Sequence, residues 1–164
     1  MYSLKAEEPG DFWEVEALFD LCFAPGREAL SSYRLRDGVP WLRELSLVAH
    51  DAQGVLAGAI RYWPVRVGTA PALLLGPIAV HPTRQGEGLG GVLIRDSLAL
   101  ARDHPLSGNR VMLVGDAPYY SRFGFRRLEG VLMPPPTNPA RLLGLELAPA
   151  AWQGVGGKVR PAGP

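Results

Sequence analysis

Apolar residues in this chain fall into short alternating runs broken by two helical stripes. Tyr2, Leu4 and Ala6 alternate with polar neighbours and predict an opening strand. Pro9-Gly10-Asp11 follows, with Asp11 placed as an N-cap. Phe12, Val15, Leu18, Phe19 and Cys22 then recur at helical spacing, and Ala24-Pro25-Gly26 closes that helix. A weaker helical segment covers about Arg27 to Arg36 and stops at Asp37-Gly38. Leu45 to His50 and Val55 to Val67 predict a hairpin across the turn Asp51-Ala52-Gln53-Gly54. Gly68 to Ala72 turns the chain into the apolar run Leu73 to Val80, a buried strand. Gly76-Pro77 interrupts it, and the missing proline N–H predicts a bulge or a splay there. Leu89, Val92, Leu93 and Leu100 mark one face of a helix from about Gly88 to Arg102, which Asp103-His104-Pro105 ends. Arg110 to Val114 is the next strand; the helix crossing between makes it parallel to Leu73–Val80. Asp116 caps a short helix carrying Tyr119 and Tyr120, and Gly124-Phe125 ends that helix and begins a strand. Leu142 to Leu147 predicts a late strand. Val155 to Val159 predicts a last edge strand, weakened by Gly154, Gly156 and Gly157. The sum is an α/β (α+β) fold, a mixed sheet with helices on both faces.

Composition narrows the picture. A chain of 164 residues predicts a single domain, residues 1–164, with a core over about 2–148 and a C-terminal extension over 149–164. A net charge of +1 supplies no basic field for nucleic acid. The lone cysteine, Cys22, lies on the apolar face of the first helix and reads as a small core residue. His50, His81 and His104 stand apart without ligand spacing, so no metal site is expected. The start of the chain lacks the apolar core of a signal peptide. No apolar run approaches the ~20 residues that span a bilayer. A cytoplasmic protein without membrane contact is expected.

The chemistry concentrates after Val80. Four glycines, at 86, 88, 90 and 91, join the central strand to the central helix. Glycine lets a backbone approach a ligand closely and aim several N–H groups at one point. The helix N-terminus adds a positive end, so the turn predicts a phosphate site built mainly from amides. Gly86, Gly88 and Gly91 satisfy G-x-G-x-x-G. A dinucleotide site, however, wants its first glycine directly after the strand and an acidic residue ~20 positions on. Here His81 to Gln85 intervene, and Val111 to Val114 is apolar.

In the other register, strand, Gln85-x-x-Gly88-x-Gly90, helix resembles the acyl-CoA motif of the GCN5-related N-acetyltransferase (GNAT) superfamily. Tyr119-Tyr120-Ser121-Arg122-Phe123-Gly124-Phe125 resembles that superfamily's second hallmark. The run Val114-Gly115-Asp116 ahead of the tyrosines is most similar to a bacterial subgroup of predicted acetyltransferases. The resemblance implies a mostly antiparallel sheet of six or seven strands with a splayed central parallel pair. It implies acetyl-CoA as cosubstrate, no metal, and direct transfer to a primary amine in a ternary complex. Ile78, Ala79 and Val80 would pair with the pantetheine arm through their backbone. Gln85, Gly86, Glu87, Gly88, Leu89, Gly90 and Gly91 would hold the diphosphate, and Tyr120 would protonate the departing thiolate. Tyr119, Phe123 and Phe125 read as packing residues, and Arg122 as either a phosphate contact or a solvated side chain. Many relatives carry a glutamate on the central strand; Leu73–Val80 has no carboxylate. Glu28 and Glu44 are base candidates by elimination, beside a water chain; His81 reads as a structural or solvated loop histidine rather than a base. In the family the acceptor lies over the sheet, which here points to Ala24–Trp41, with Tyr33 and Trp41, and to Val131–Arg141. Arg34 and Arg36 read as a solvated face, with a substrate contact as the alternative. The acceptor is a small-molecule or protein amine, and homodimers are common in the family. The competing readings are a non-catalytic acyl-CoA-binding sensor and the dinucleotide site.

Overall fold

The computed structural model describes residues 1–23, 35–36 and 38–162. In chain order the elements are β1 (Ser3–Ala6), α1 (Phe12–Cys22), β2 (Leu47–His50), β3 (Leu56–Val67), β4 (Ala70–Val80) and α2 (Leu89–Ala101). They continue with β5 (Arg110–Val114), α3 (Ala117–Tyr120), β6 (Arg126–Arg127), β7 (Val131–Leu132), β8 (Leu142–Glu146) and β9 (Gly157–Pro161). The strands run β1-β2-β3-β4-β5-β8-β6 across the sheet. Every pair on that path is antiparallel but β4–β5. The second helical segment expected over 27–36, and the Ala24-Pro25-Gly26 stop, lie almost wholly outside the described residues.

Strand alternation divides the core between the two faces. Leu47 and Ala49 of β2 pack with Leu89 and Leu93 of α2, whereas Val48 between them packs with Val15, Leu18 and Phe19 of α1. Further along the α1 side, Trp63, Val65 and Val67 join Leu74, Met112, Trp152 and Val159. That last group needs the C-terminal segment. β9 pairs with β3 at Val65–Val67 and in parallel with β7, a two-residue strand that the sequence pattern does not announce.

Three expectations need correcting. β4 starts at Ala70 rather than Leu73, because Val65, Arg66 and Val67 of β3 hold Ala72, Pro71 and Ala70 in register. Asp11 stands at the N-cap of α1, yet its carboxylate turns back to accept from the Glu8 N–H at 2.9 Å. The buried face of α2 is Leu89, Leu93, Ile94, Ser97, Leu98 and Ala101, while Val92 and Leu100 are exposed. The stripe is rotated by a buried polar residue: the Ser97 hydroxyl lies 2.8 Å from that of Tyr62 and donates to the Leu93 carbonyl at 2.6 Å. A satisfied hydroxyl is tolerated in a core, so Ser97 counts as inside.

The splay lies where Gly76-Pro77 predicts it. Ile60 pairs with Ile78 and Tyr62 with Leu75, so Gly76 and Pro77 together face Arg61 alone, a bulge on β4. The indole N–H of Trp63 donates to the Gly76 carbonyl at 2.9 Å and fixes the bulge. On its other edge β4 pairs with β5 only at Leu73 and Leu74. From Leu75 onward that edge has no strand partner among the described residues.

Candidate active site

The Pro82–Arg84 turn follows β4, and His81 caps it: its ring accepts from the Thr83 N–H at 3.2 Å. Of the structural and solvated roles expected of His81, this is the structural one. Gly86 and Gly88 take φ values of +84° and +81°, the left-handed region that other residues enter at a cost of about 1–2 kcal/mol. Gly88 is the N-cap of α2, and no side chain caps that end. The N–H groups of Leu89, Gly90 and Gly91 precede the first intrahelical bond, from Val92 N–H to the Gly88 carbonyl. They point out of the helix end as unsatisfied donors.

Around that end lies a cavity of about 380 Å³, walled by Gln85, Gly86, Gly88, Gly90 and Gly91 together with Arg84, Arg95 and Arg122. The helix end and three guanidinium groups make it suited to a polyanion. Arg84 is held by Asp51 at 2.7 Å; Arg95 lies over the Phe123 ring and Arg122 over the Tyr119 ring. Arg84 and Arg95 escape sequence reasoning because an arginine on a turn or a helix looks like a solvated one. Of the residues expected here, Glu87 turns its carboxylate to the Tyr2 hydroxyl. Leu89 is buried in the core and offers its backbone alone.

Tyr119 joins this cavity to a second one of about 600 Å³ between the splayed strands. Its hydroxyl lies 3.3 Å from where a Gly90 Cβ would stand. The second cavity is lined by Gly76, Pro77 and Ile78 of β4, by Leu113 and Val114 of β5, and by Tyr120, Asp116, Arg36 and Arg141. The His81 N–H donates to the Ala57 carbonyl of β3. By strand alternation Ala79 faces β3 as well, and Ile78 and Val80 turn their amides to the open edge. The Val80 carbonyl accepts from the Gln85 side-chain amide at 3.2 Å and from the Cys22 thiol at 3.4 Å.

Tyr120 is placed by its local sequence. Asp116 accepts the Tyr119 N–H at 3.2 Å and starts α3. Gly115 leaves room for the Tyr120 ring: a Cβ there would come within 2.5 Å of Cε2. Burial pushes the Tyr120 phenol up to about 12; the neighbouring Tyr119 and Asp116 add to this, and Arg141 opposes it. The phenol therefore keeps its proton at neutral pH.

The base candidates part company. Glu28 lies outside the described residues. Glu44 is 2.5 Å from His104 Nε2 and does not line the cavity; that hydrogen bond holds its carboxyl below the usual range. Asp116 is the one carboxylate among the described lining residues. Arg36, expected on a solvated face, is buried, with its guanidinium 5.5 Å from the Trp63 ring centre. Trp41 stacks on Phe12 and meets Trp63 edge-on, a packing residue rather than a pocket wall of this cavity. Among the described residues no His, Cys, Asp and Glu cluster with metal-ligand geometry, and no helix is long and apolar enough to cross a membrane.

A splayed parallel pair beside a glycine-capped helix is the architecture of an acyltransferase, and the comparisons agree. Residues 43–127 match the acetyltransferase (GNAT) domain family, and the chain belongs to that family of N-acetyltransferases. It is similar to the GNAT family N-acetyltransferase YhbS from Escherichia coli, solved in complex with CoA: 29% identity over 98% of this chain and 89% of that one, TM-score 0.79. It is also similar to a GNAT family acetyltransferase from Brucella melitensis, solved in complex with acetyl-CoA: 30% identity over 98% and 95% of the two chains, TM-score 0.73. The ribosomal-protein-S18-alanine N-acetyltransferase from Escherichia coli shares the fold at 18% identity, over 90% and 95% of the chains, TM-score 0.63. No curated protein sequence matches the chain.

Proposed function

We propose that this protein transfers the acetyl group of acetyl-CoA directly to a primary amine, the two substrates bound together. The observation that carries the reading is the continuity of the open β4 edge with the uncapped N-terminus of α2. A diphosphate fits the amides of Gly86 to Gly91, with Arg84, Arg95 and Arg122 as counter-charges. The pantetheine arm then runs along β4 as a surrogate strand, meeting the amides of Ile78 and Val80. This sets the thioester in the gap beside Tyr120. An amide of the open edge facing the thioester oxygen stabilises charge as it develops there.

The acceptor nitrogen forms a bond to the carbonyl carbon, the carbon–sulfur bond breaks, and the Tyr120 hydroxyl gives its proton to the thiolate. The proton of the amine leaves to water in the open cavity. An enzyme-bound acetyl intermediate is disfavoured by Cys22. Its thiol is turned to the Val80 carbonyl, it does not line the Tyr120 cavity, and burial raises its pKa, away from the reactive thiolate.

Calorimetric titration with acetyl-CoA, with NADH as control, tests the reading. Saturable acetyl-CoA binding is expected, abolished by the double change Gly88→Val and Gly90→Leu with the fold intact by circular dichroism. An amine screen with thiol release as readout follows. Folded protein that binds NADH instead, or neither, would overturn the cofactor assignment. Acetyl-CoA binding without turnover on any amine is the signature of a sensor.

A further inference from the structure

We propose that the acceptor is a small amine bearing a carboxylate of its own, gripped by Arg36 and Arg141 across the cavity between the splayed strands. The inference rests on the acetyl-transfer reading above. Among the described residues the charged lining of that cavity is two guanidinium groups against one carboxylate, Asp116. The Asp116 oxygen already accepts the Tyr119 N–H. Arg36 is held by its burial, and Arg141 is placed through its backbone. Arg36 is 8% exposed, lies against the Trp63 ring, and has Nη2 3.5 Å from the position of a Gly76 Cβ. Arg141 ends the Pro139–Arg141 turn, and its carbonyl accepts the Gly115 N–H at 2.9 Å. That bond ties it to the segment that positions Tyr120, and its charge reaches the phenol. The two arginines thus approach from β4's bulge on one side and from the start of β8 on the other.

A guanidinium offers a planar fork of donors that matches a carboxylate in two parallel hydrogen bonds. The same two cations repel an ammonium and lower the pKa of an amine set beside them. They thereby favour the neutral nucleophile in a site whose strand carries no base. A polycation would meet two guanidinium groups and a single carboxylate. An amino acid meets both effects, its carboxylate drawing it in and its amine delivered uncharged. A volume of about 600 Å³, shared with the thioester end, suits a molecule of that size. Nothing is oxidised or reduced: the N–C bond forms, the C–S bond breaks, Tyr120 supplies the thiolate's proton, and water takes the amine's.

The test is initial-rate thiol release at saturating acetyl-CoA. The acceptors are the common α-amino acids, β-alanine and γ-aminobutyrate, each beside its own carboxamide. The free acid of at least one pair is expected to exceed its amide by roughly tenfold or more in kcat/KM, the worth of one hydrogen bond to a charged group. The difference should lie mainly in KM. Arg141→Gln, at an exposed position, should erase the preference while acetyl-CoA affinity by calorimetry stays at the wild-type value; Arg141→Lys should restore part of it. Arg36→Gln should act likewise, and should it fail to fold, the Arg141 pair decides. Amides equal to or better than acids throughout would overturn the inference and leave acetyl transfer standing. So would acetyl-CoA binding with neither series acetylated. Failure of the folded protein to bind acetyl-CoA at all would instead remove the parent reading.

Discussion

Tyr120 illustrates how much one side chain owes to its surroundings. Its ring needs the bare backbone of Gly115, its helix needs the Asp116 cap, and burial lifts its pKa to about 12. Tyr120→Phe keeps the shape and removes the proton. We expect kcat to fall about 10² or more, within the range of general-acid effects, while calorimetry finds acetyl-CoA affinity unchanged. The raised pKa also has a consequence for stability. An unfolded tyrosine titrates near ~10, so the folded state holds the proton more tightly than the unfolded one. That contribution is complete below pH ~10 and is lost as pH climbs through about 12. Tyr62, buried beside Ser97, is shifted upward too, chiefly by burial. Urea midpoints at pH 8, 10 and 11.5 should therefore fall, and should fall less in Tyr120→Phe. At this scale the motif residues were legible, since glycines and tyrosines at fixed offsets carry their geometry with them. Arg95 was not, because it becomes a wall of the anion cavity only when α2 is docked; Arg36 was readable only as one of two alternatives, since its burial beside the β4 bulge decides against the solvated face.

Among the elements, β4 decides the most. Its bulge faces Arg61, and the indole of Trp63 holds the Gly76 carbonyl in place. Trp63→Phe keeps an aromatic ring but strands that carbonyl in the core. A loss of about 2 kcal/mol, in the range for an abandoned buried partner, should appear as a lower urea midpoint at unchanged slope. If the bulge aligns the open edge, kcat should drop as well while KM for acetyl-CoA moves little. The splay was readable because proline has no N–H to give a ladder. The true buried face of α2 was not, because a serine that finds a tyrosine hydroxyl across the core looks polar in isolation. β9 was foreseen weakly, its glycines arguing against it; pairing with β3 and β7 outweighs local preference.

For the molecule as a whole, a buried ion cluster clamps the α1 face. Arg61 meets Glu7 through Nε and Nη2 at 3.0 and 2.8 Å and Glu16 through Nη1 at 2.6 Å, beneath the Trp41 ring. Arg61 lies 54 and 45 residues along the chain from Glu7 and Glu16, and no spacing in the sequence pairs them. Glu7→Gln should cost about 2 kcal/mol in urea unfolding, since it removes the more deeply buried of the two counter-charges of Arg61 and its charged hydrogen bonds while Glu16 remains.

The open edge of β4 has one more implication, for the company this protein keeps. An unpaired strand edge is ordinarily an invitation to another chain, because it offers donors and acceptors in alternation. Here the row is defaced. The Val80 carbonyl is occupied by the Cys22 thiol and the Gln85 amide, and the bulge at Gly76-Pro77 interrupts the repeat. A foreign strand needs carbonyls as well as amides and would find a broken template, whereas a ligand that uses only the amides of Ile78 and Val80 would not; the sheet can stay open at its centre without seeding aggregates.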